Sequence, residues 1–423
     1  MIISRIRGLL PWVNRDGKLI ILTRGLRIFA QGSIAVLLAI YLGKIGFSLV
    51  QIGAFFSIGV AGSAVLAFLV SLIAEKIGRK RLLIAFALIA APSGIVLAFS
   101  TSFPLLVLFA FLGSITGTAG AGPSGPLSPM EQASLTGTVS PEKRTDVFAI
   151  SGIVATAGSA IGALASGLPD FFQSSFGLDE LSSYKIIFTA YTLFLFISAL
   201  VYILLSPAIE VHASQQHWTN PFKLPSRRLI FTLTGLFSID RFSGSMVIQS
   251  LVAYWFATKF NIKISELAVI FFISHVLEAF SIWLAAKIAH RIGLLNTMVF
   301  THIPSSIFLV AATFSPVGWL AVVFWQLRAL VGSMDMPTRD SYTMAIVNPE
   351  ERVAMASIHI VGGSIVSSLG PTISSTLWST FSASVPFVAS AALKIIYDLS
   401  LYSIFRNVKP PEELRKSKVR EVA

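Results

Sequence analysis

The 423-residue chain contains no cysteine. That absence excludes disulfides, thiolate nucleophiles and cysteine-ligated metals. Charge is scarce as well: 12% of residues are charged, against roughly 25% in soluble proteins. Acids are the scarcest, 20 against 32 lysines and arginines. With 54% hydrophobic residues and a mean hydropathy of +0.79, the chain has too little polar surface for a water-soluble fold. A soluble enzyme, a disordered chain and a fibrous protein are thereby excluded. The six histidines are scattered and no H-E-x-x-H pattern occurs, so no metal site is expected. No G-x-x-x-x-G-K-[ST] loop occurs either, which leaves direct ATP drive without support. No cofactor is expected. What is there is a polytopic membrane protein.

A spanning helix needs about 20 mostly apolar residues. Twelve stretches qualify, numbered here as spans 1 to 12: Lys18–Leu42, Ser48–Ile73, Arg81–Ser100, Phe103–Ala121, Thr145–Phe172, Tyr184–Leu205, Leu229–Phe256, Glu266–Ala289, Leu294–Phe314, Val317–Met336, Glu351–Leu377 and Pro386–Phe405. A basic stretch precedes span 1 as in a signal peptide. The apolar run is long and lacks a small-residue cleavage site, so span 1 is read as an uncleaved helix.

Lysine and arginine are distributed unevenly between the spans. Arg5, Arg7, Arg15, the Lys76/Arg79/Lys80/Arg81 group, Lys143, Arg144, Lys223, Arg227, Arg228, Lys287, Arg291, Arg339, Arg352 and the tail all fall on one side. The other side holds only Lys44, Lys185, Lys259 and Lys263. This asymmetry predicts that both termini are cytoplasmic; the plasma membrane is the expected location. The net charge of +12 is thus a topology signal and calls for no nucleic acid. The basic tail is placed to meet membrane lipid headgroups.

The pattern repeats. Ala74-Glu75-Lys76-Ile77-Gly78 recurs as Ala289-His290-Arg291-Ile292-Gly293. Pro129 and Pro141-Glu142-Lys143-Arg144 recur as Pro337 and Pro349-Glu350-Glu351-Arg352. Each half therefore holds six helices. The predicted organisation is an N-terminal bundle over 1–205, a polar cytoplasmic linker over 206–226, a C-terminal bundle over 227–408 and a basic tail over 409–423. Parallel repeats of this kind suit alternating access around a midplane site.

The loop between spans 2 and 3 reads Ser71-Leu72-Ile73-Ala74-Glu75-Lys76-Ile77-Gly78-Arg79-Lys80. It resembles the G-x-L-A-D-R-x-G-R-K motif of the major facilitator superfamily, with Ser71 in place of the first glycine and Glu75 in place of the aspartate. The resemblance covers essentially the whole chain. It implies an all-α membrane protein in which two six-helix bundles are related by pseudo-two-fold symmetry. It also implies a cytoplasmic gate in which Glu75 and Arg79 form a breakable latch, with Arg291 in the second copy, where His290 has replaced the acid. A second charged layer, Glu131 with Arg144 and Arg339 with Arg352, is read as part of the same gate. The alternative is that these charges only fix topology or cap helices. The family resemblance implies a monomer.

Ionisable groups inside spans are costly and usually face a cavity or a partner. In the fold that the resemblance implies, spans 1, 4, 7 and 10 line the cavity; span 4 carries no charge between Phe103 and Ala121, so Arg27, Gln31, Asp240, Gln249, Gln326 and Arg328 are the expected cavity residues. Asp240 and Glu278, near mid-span, are the candidates for proton coupling, because burial and a neighbouring cation can tune a carboxylate. A fixed ion pair is the alternative for each. Lys394 and Asp398, four residues apart, read as a self-neutralising pair. The expected function is secondary active transport of a small organic solute, most simply proton-coupled export. The support is an abundance of phenylalanine and the partial exporter-like motif Gly158-x-x-x-Gly162-Ala163. Uptake of an organic anion is the runner-up, supported by the buried arginines. Two other classes compete. Gly122-Pro123-Ser124-Gly125 matches the G-x-S-G of rhomboid-type proteases, for which His275, His302 or His359 would supply the base. A channel or transceptor is the third reading.

Overall fold

The computed structural model of the protein describes residues 10–119, 125–210, 225–348 and 351–408. The four residues of the protease-like motif fall partly outside them: Gly122, Pro123 and Ser124 are not among the described residues. Every regular element among the described residues is helical.

Span 1 comprises α1 (Arg15–Ala35) and α2 (Leu38–Lys44), bent by 42°. Span 2 is α3 (Leu49–Ile77). Span 3 divides into α4 (Arg79–Ala90) and α5 (Pro92–Phe99). Span 4 begins with the short α6 (Phe103–Gly113), and α7 (Leu127–Leu135) follows it. Span 5 is α8 (Arg144–Ala165) with α9 (Leu168–Phe176), and span 6 is α10 (Glu180–Ile203). Span 7 is α11 (Arg227–Ser245) with α12 (Gln249–Phe260); spans 8 and 9 are α13 (Ile264–Ile292) and α14 (Leu294–Phe314). Span 10 is α15 (Gly318–Gly332) with α16 (Asp335–Ile346), and span 11 is α17 (Arg352–Ser367) with α18 (Gly370–Thr380). Span 12 is α19 (Ser384–Phe405).

Among the described residues, seven helical stretches are long and apolar enough to cross a membrane, or eight if the bent α1–α2 pair counts as one. Spans 4, 7, 10 and 11 fall short because each is interrupted. The interruptions have local causes. Pro371 stands in the first turn of α18, where a missing N–H costs nothing but the preceding ladder must end. Ser114 ends α6 in the left-handed region, at φ 53°. Before the α11–α12 break, the hydroxyls of Ser243 and Ser245 donate back to the carbonyls of Asp240 and Phe242. Such back-bonding competes with the helical ladder.

The described residues group into two compact units, Met1–Gln216 with Ile248–His275, and His217–Val247 with Val276–Ala423. The units cut across chain order, because α12 and the first half of α13 pack with the first unit. There Ser250 N–H donates to Gly117 O (3.0 Å), its hydroxyl donates to Ala35 O, and Ser265 N–H donates to Asp170 Oδ2 (2.9 Å). The core of the first unit includes Ile20, Leu83, Leu135, Val147 and Tyr202. That of the second includes Ile230, Leu233, Phe237, Tyr342, Tyr397 and Leu401.

The exposure pattern inverts that of a soluble protein. Phe99, Ile153, Trp319 and Phe381 are each about two-thirds exposed, while Ser159, Ser198, Ser281 and Ser390 are fully buried. Large apolar side chains outside and small polar ones between helices are what a lipid environment selects. Glycine makes one such contact in the first unit. A Cβ on Gly162 of α8 would lie 2.3 Å from Phe29 O and 3.0 Å from Gly32 Cα of α1. Close helix packing therefore accounts for the glycines of the exporter-like motif.

Candidate functional site

Charge in the interior is concentrated in two clusters, one per unit. In the first unit, Arg27 of α1 donates from Nη2 to Glu131 Oε2 of α7 at 2.5 Å. Tyr202 of α10 donates its hydroxyl to Glu131 Oε1, also at 2.5 Å. Glu131 is completely buried, and Arg27 and Arg24 nearly so. Arg24 lies one turn earlier on α1 within the field of the same carboxylate. The sequence places Glu131 in a gate opposite Arg144. The structure instead pairs it with Arg27, and Arg144 is exposed at the start of α8. The reason is helical register: Glu131 sits on the inward face of α7, toward α1 and α10.

In the second unit, Asp240 of α11 is bound on both oxygens. Lys394 Nζ of α19 donates to Oδ1 at 2.8 Å, and Arg339 Nη1 of α16 donates to Oδ2 at 2.8 Å. Arg339 Nη1 also lies 3.5 Å from Asp335 Oδ2, one turn back on α16, and its guanidinium lies 5.6 Å from the Phe237 ring. His302 of α14 completes the cluster. Its Nε2 is 3.0 Å from Lys394 Nζ and 3.8 Å from Asp240 Oδ1, and its Nδ1 is 3.1 Å from Asp398 Oδ1. Lys394 and Asp398 thus do not neutralise each other as the sequence suggests. The lysine stem reaches across to α11, and Asp398, one turn on, faces α14. Arg339 likewise belongs to this cluster, and Arg352 lies at the start of α17 with its side chain outside the described part of the structure.

The two clusters are related with their charges exchanged. Glu131 and Arg339 occupy equivalent positions of the repeat, at the spacing that also relates Pro129 to Pro337. In the first unit the base is on the first span and the acid on the fourth; in the second unit the acid is on the first span of its half and the base on the fourth.

The other expected residues are more dispersed. Gln31 lines a crevice with Ser114, Thr116 and Tyr191; its volume of about 10 Å³ has room for a single water. Gln249 is buried and its Oε1 accepts from Ala119 N–H at 3.4 Å. Arg328 is half-buried over the Trp325 ring, at 4.6 Å, within the field of Glu278. Gln326 is half-buried on the same helix. Arg291 is exposed. His275 contacts Ser159 at 3.2 Å, and the His359 ring packs edge-on against Phe237. A larger concavity of about 600 Å³, lined by Phe99, Ile186, Leu193 and Phe196 along α10, is an open apolar groove on the exposed face and lies away from both clusters.

The motif between spans 2 and 3 is held by an acid that the sequence does not single out. Glu210 accepts from the backbone N–H groups of Arg79 (2.6 Å) and Lys80 (3.0 Å) at the start of α4. Gly78 has φ +99°, and a Cβ there would lie 2.9 Å from Glu210 Oε1. The positive φ calls for glycine, and a Cβ would also press on the carboxylate that caps α4. Arg79 also donates to Ala133 O at 3.5 Å. The side chain of Glu75 lies outside the described part of the structure. Nothing in the spacing along the chain flags Glu210, which reaches α4 from about 130 residues away.

Comparison with known proteins supplies the context. The family profile described as Major Facilitator Superfamily matches residues 20–325 and, in an overlapping match, 233–422. An uncharacterised membrane protein of Saccharomyces cerevisiae is 24% identical over 430 aligned residues, covering 93% of this chain and 95% of the yeast protein. The crystal structure of a mutant of the nucleoside transporter NupG superposes with a TM-score of 0.77 at 14% identity, covering 92% of this chain and all of that one. A bacterial homologue of the human lysosomal transporter Spinster, in an inward-facing and occupied conformation, gives 0.71 at 15% identity over 92% of this chain and 96% of its own.

Proposed function

The chain belongs to the Major Facilitator Superfamily, and on that premise we propose that it is a proton-coupled secondary transporter of a small organic solute. One observation carries the proton coupling: a carboxylate, Asp240, buried in a membrane span and clamped by two cations on other spans. Burying such a group costs several kcal/mol unless it is paired, so its place in a span points to use and not to stability alone. Glu278, beside Arg328, is the second carboxylate in the coupling role. Arg27, Gln31, Gln249, Gln326 and Arg328 are the residues proposed to meet solute. Arg79, Arg144, Arg291 and Arg352, with Glu75, are proposed to close the cytoplasmic face. The lysine and arginine asymmetry supports cytoplasmic termini, and the plasma membrane is the proposed site.

Outward transport in exchange for protons is the proposed direction. Its support is the aromatic, sparsely polar character of the helices, since packing accounts for the glycine motif. The second reading, uptake of an organic anion, draws on two buried arginines, Arg24 and Arg27, on the same helix within the field of Glu131. The test is flux in proteoliposomes under an imposed pH gradient, with a panel of solutes that includes nucleosides and organic anions. Solute should move against its gradient, outward with respect to the cytoplasmic face. Asp240→Asn and Glu278→Gln should each reduce that movement and spare solute exchange at equal pH. If both amide variants keep full gradient-driven flux, the coupling assignment fails.

A further inference from the structure

The second-unit cluster contains more ionisable groups than its ion pairs require. Asp240, Asp335 and Asp398 are each buried, and Arg339 and Lys394 are the two cations in contact with them. With all three carboxylates ionised and His302 neutral, the contacting groups carry one uncompensated negative charge. A single added proton closes the balance. In a span, an uncompensated charge is the costly state.

The hydrogen bonds indicate where that proton goes. Lys394 has donors only, so its 3.0 Å contact with His302 Nε2 requires a lone pair on Nε2. The proton of the neutral ring is then on Nδ1, donated to Asp398 Oδ1 at 3.1 Å. Asp398 is fully buried, yet its second oxygen has no hydrogen-bond partner among the described residues. Both oxygens of Asp240, by contrast, are taken by cations. The remaining charged or titratable groups on the surrounding helices are Arg227, Arg228 and Arg241 on α11, Arg328 on α15, Asp340 and Tyr342 on α16, Arg352 and His359 on α17, and Tyr397 and Tyr402 on α19. Asp340 is exposed, and Arg241 lies within the fields of Asp240 and Asp340 without a hydrogen bond or ion pair to Asp240, both of whose oxygens are taken by Lys394 and Arg339. Arg328 lies on Trp325, His359 packs on Phe237, and the Tyr342 hydroxyl donates to Val408 O at 2.9 Å. Of these groups, Tyr397 meets the ring of His302, edge-on at 6.1 Å.

We propose that the coupled proton of the Asp240 cluster rests on the His302–Asp398 pair, with Asp240 required as the counter-ion that holds both cations in place and Lys394 as the cation that yields. This rests on the proton-coupled reading above and names the group that carries it. When a proton adds to His302 Nε2, the lone pair that accepts from Lys394 is lost and the ring becomes a cation. Lys394 must withdraw from the ring while keeping Asp240 Oδ1. The new N–H faces that same oxygen, 3.8 Å away in the unprotonated arrangement. One proton is gained, the cluster becomes neutral, and the α14–α19 contact is rearranged. Release reverses each step. That rearrangement joins spans 9 and 12 to span 7, which gives protonation a mechanical consequence.

The full-length protein in lipid, with protons as the only ligand, provides the test by pH-difference infrared spectroscopy. The wild type should show one titrating group, with histidine and carboxyl bands changing together. Asp398→Asn should abolish the carboxyl component and His302→Gln the histidine one. The paired variant Asp240→Asn/Lys394→Gln, which leaves the net charge unchanged, should keep the carboxyl band. It also guards against the single Asp240 variant failing to fold. Lys394→Gln alone should take up one proton more than the wild type. If the carboxyl band survives Asp398→Asn and vanishes in the paired variant, the proton belongs on Asp240: this inference falls and proton coupling stands. If no variant alters a band and wild-type flux in proteoliposomes ignores the pH gradient, the coupled reading falls with it.

Discussion

Replacing Glu131 tests the first-unit cluster. The Arg27–Glu131 pair is 2.5 Å long, with side-chain exposures of 4% and 0%. Glu131 also accepts from Tyr202. Each hydrogen bond to a charged group contributes roughly 1.5–3 kcal/mol. Deleting the carboxylate removes two of them and leaves a buried guanidinium without its counter-charge. Breaking a buried pair in this way costs about 3–5 kcal/mol. Glu131→Leu and Arg27→Met should therefore each destabilise by that order. The double variant should lie within about 1 kcal/mol of the wild type, because an apolar pair replaces a buried ion pair almost without loss. The coupling energy from the four proteins should exceed about 2 kcal/mol. Seven tryptophans report unfolding in micelles by intrinsic fluorescence, which suits a chain without a thiol to label. Additive single-variant effects, with the double as unstable as their sum, would refute the pairing.

Other expectations follow from contacts on the same scaffold. Gly162→Ala should cost about 1–3 kcal/mol through its clash with Phe29 O, whereas Gly152→Ala, where a Cβ meets nothing within 4 Å, should be neutral or mildly stabilising; equal thermal unfolding of the two would contradict the packing argument. Glu210→Gln should lose about 0.5–2 kcal/mol by weakening the cap on Arg79 and Lys80, read as a lower unfolding midpoint at neutral pH. Asp179 caps α10 by accepting from Ser182 N–H, and bonds to Ser182 hold its carboxyl below the ordinary value of 3.8. A depressed folded-state value means the stabilisation is present above the unfolded value and is lost as pH falls through the folded one. The gap in unfolding midpoint between wild type and Asp179→Ala should therefore be constant near neutrality and close in acid; a gap that persists there would exclude the ionised cap.

The twelve-span pattern and the family were legible because they rest on long-range regularities: hydropathy, the basic-residue asymmetry, and a loop that keeps Gly78, Arg79 and Lys80. The breaks inside spans 4, 7, 10 and 11 were less visible. Pro371 announces one of them, but the stop at Ser114 and the serine back-bonds before Met246 depend on conformation and packing. The site was half legible. Asp240, Arg27, Glu131 and Arg339 stand out as charges in or beside apolar runs. Their partners do not, since pairing is set by which helices touch. Lys394 has an acid one turn away in sequence and another across the interface on α11, and only the fold selects the second. His302 could be read as a scattered histidine until α14 and α19 are seen side by side. Glu210 carries no local signal at all.

The absence of cysteine allows the central claim, a buried charge cluster opened to one side of the membrane at a time, to be measured directly. Gly244 lies one turn beyond Asp240 on α11, and a side chain there meets nothing within 4 Å. With a single cysteine in place of Gly244, a membrane-impermeant thiol reagent applied to each face of oriented proteoliposomes should label from one face only. Reversing the pH gradient should move the labelling to the other face. Simultaneous labelling from both faces, or a side that never changes with the gradient, would contradict the account.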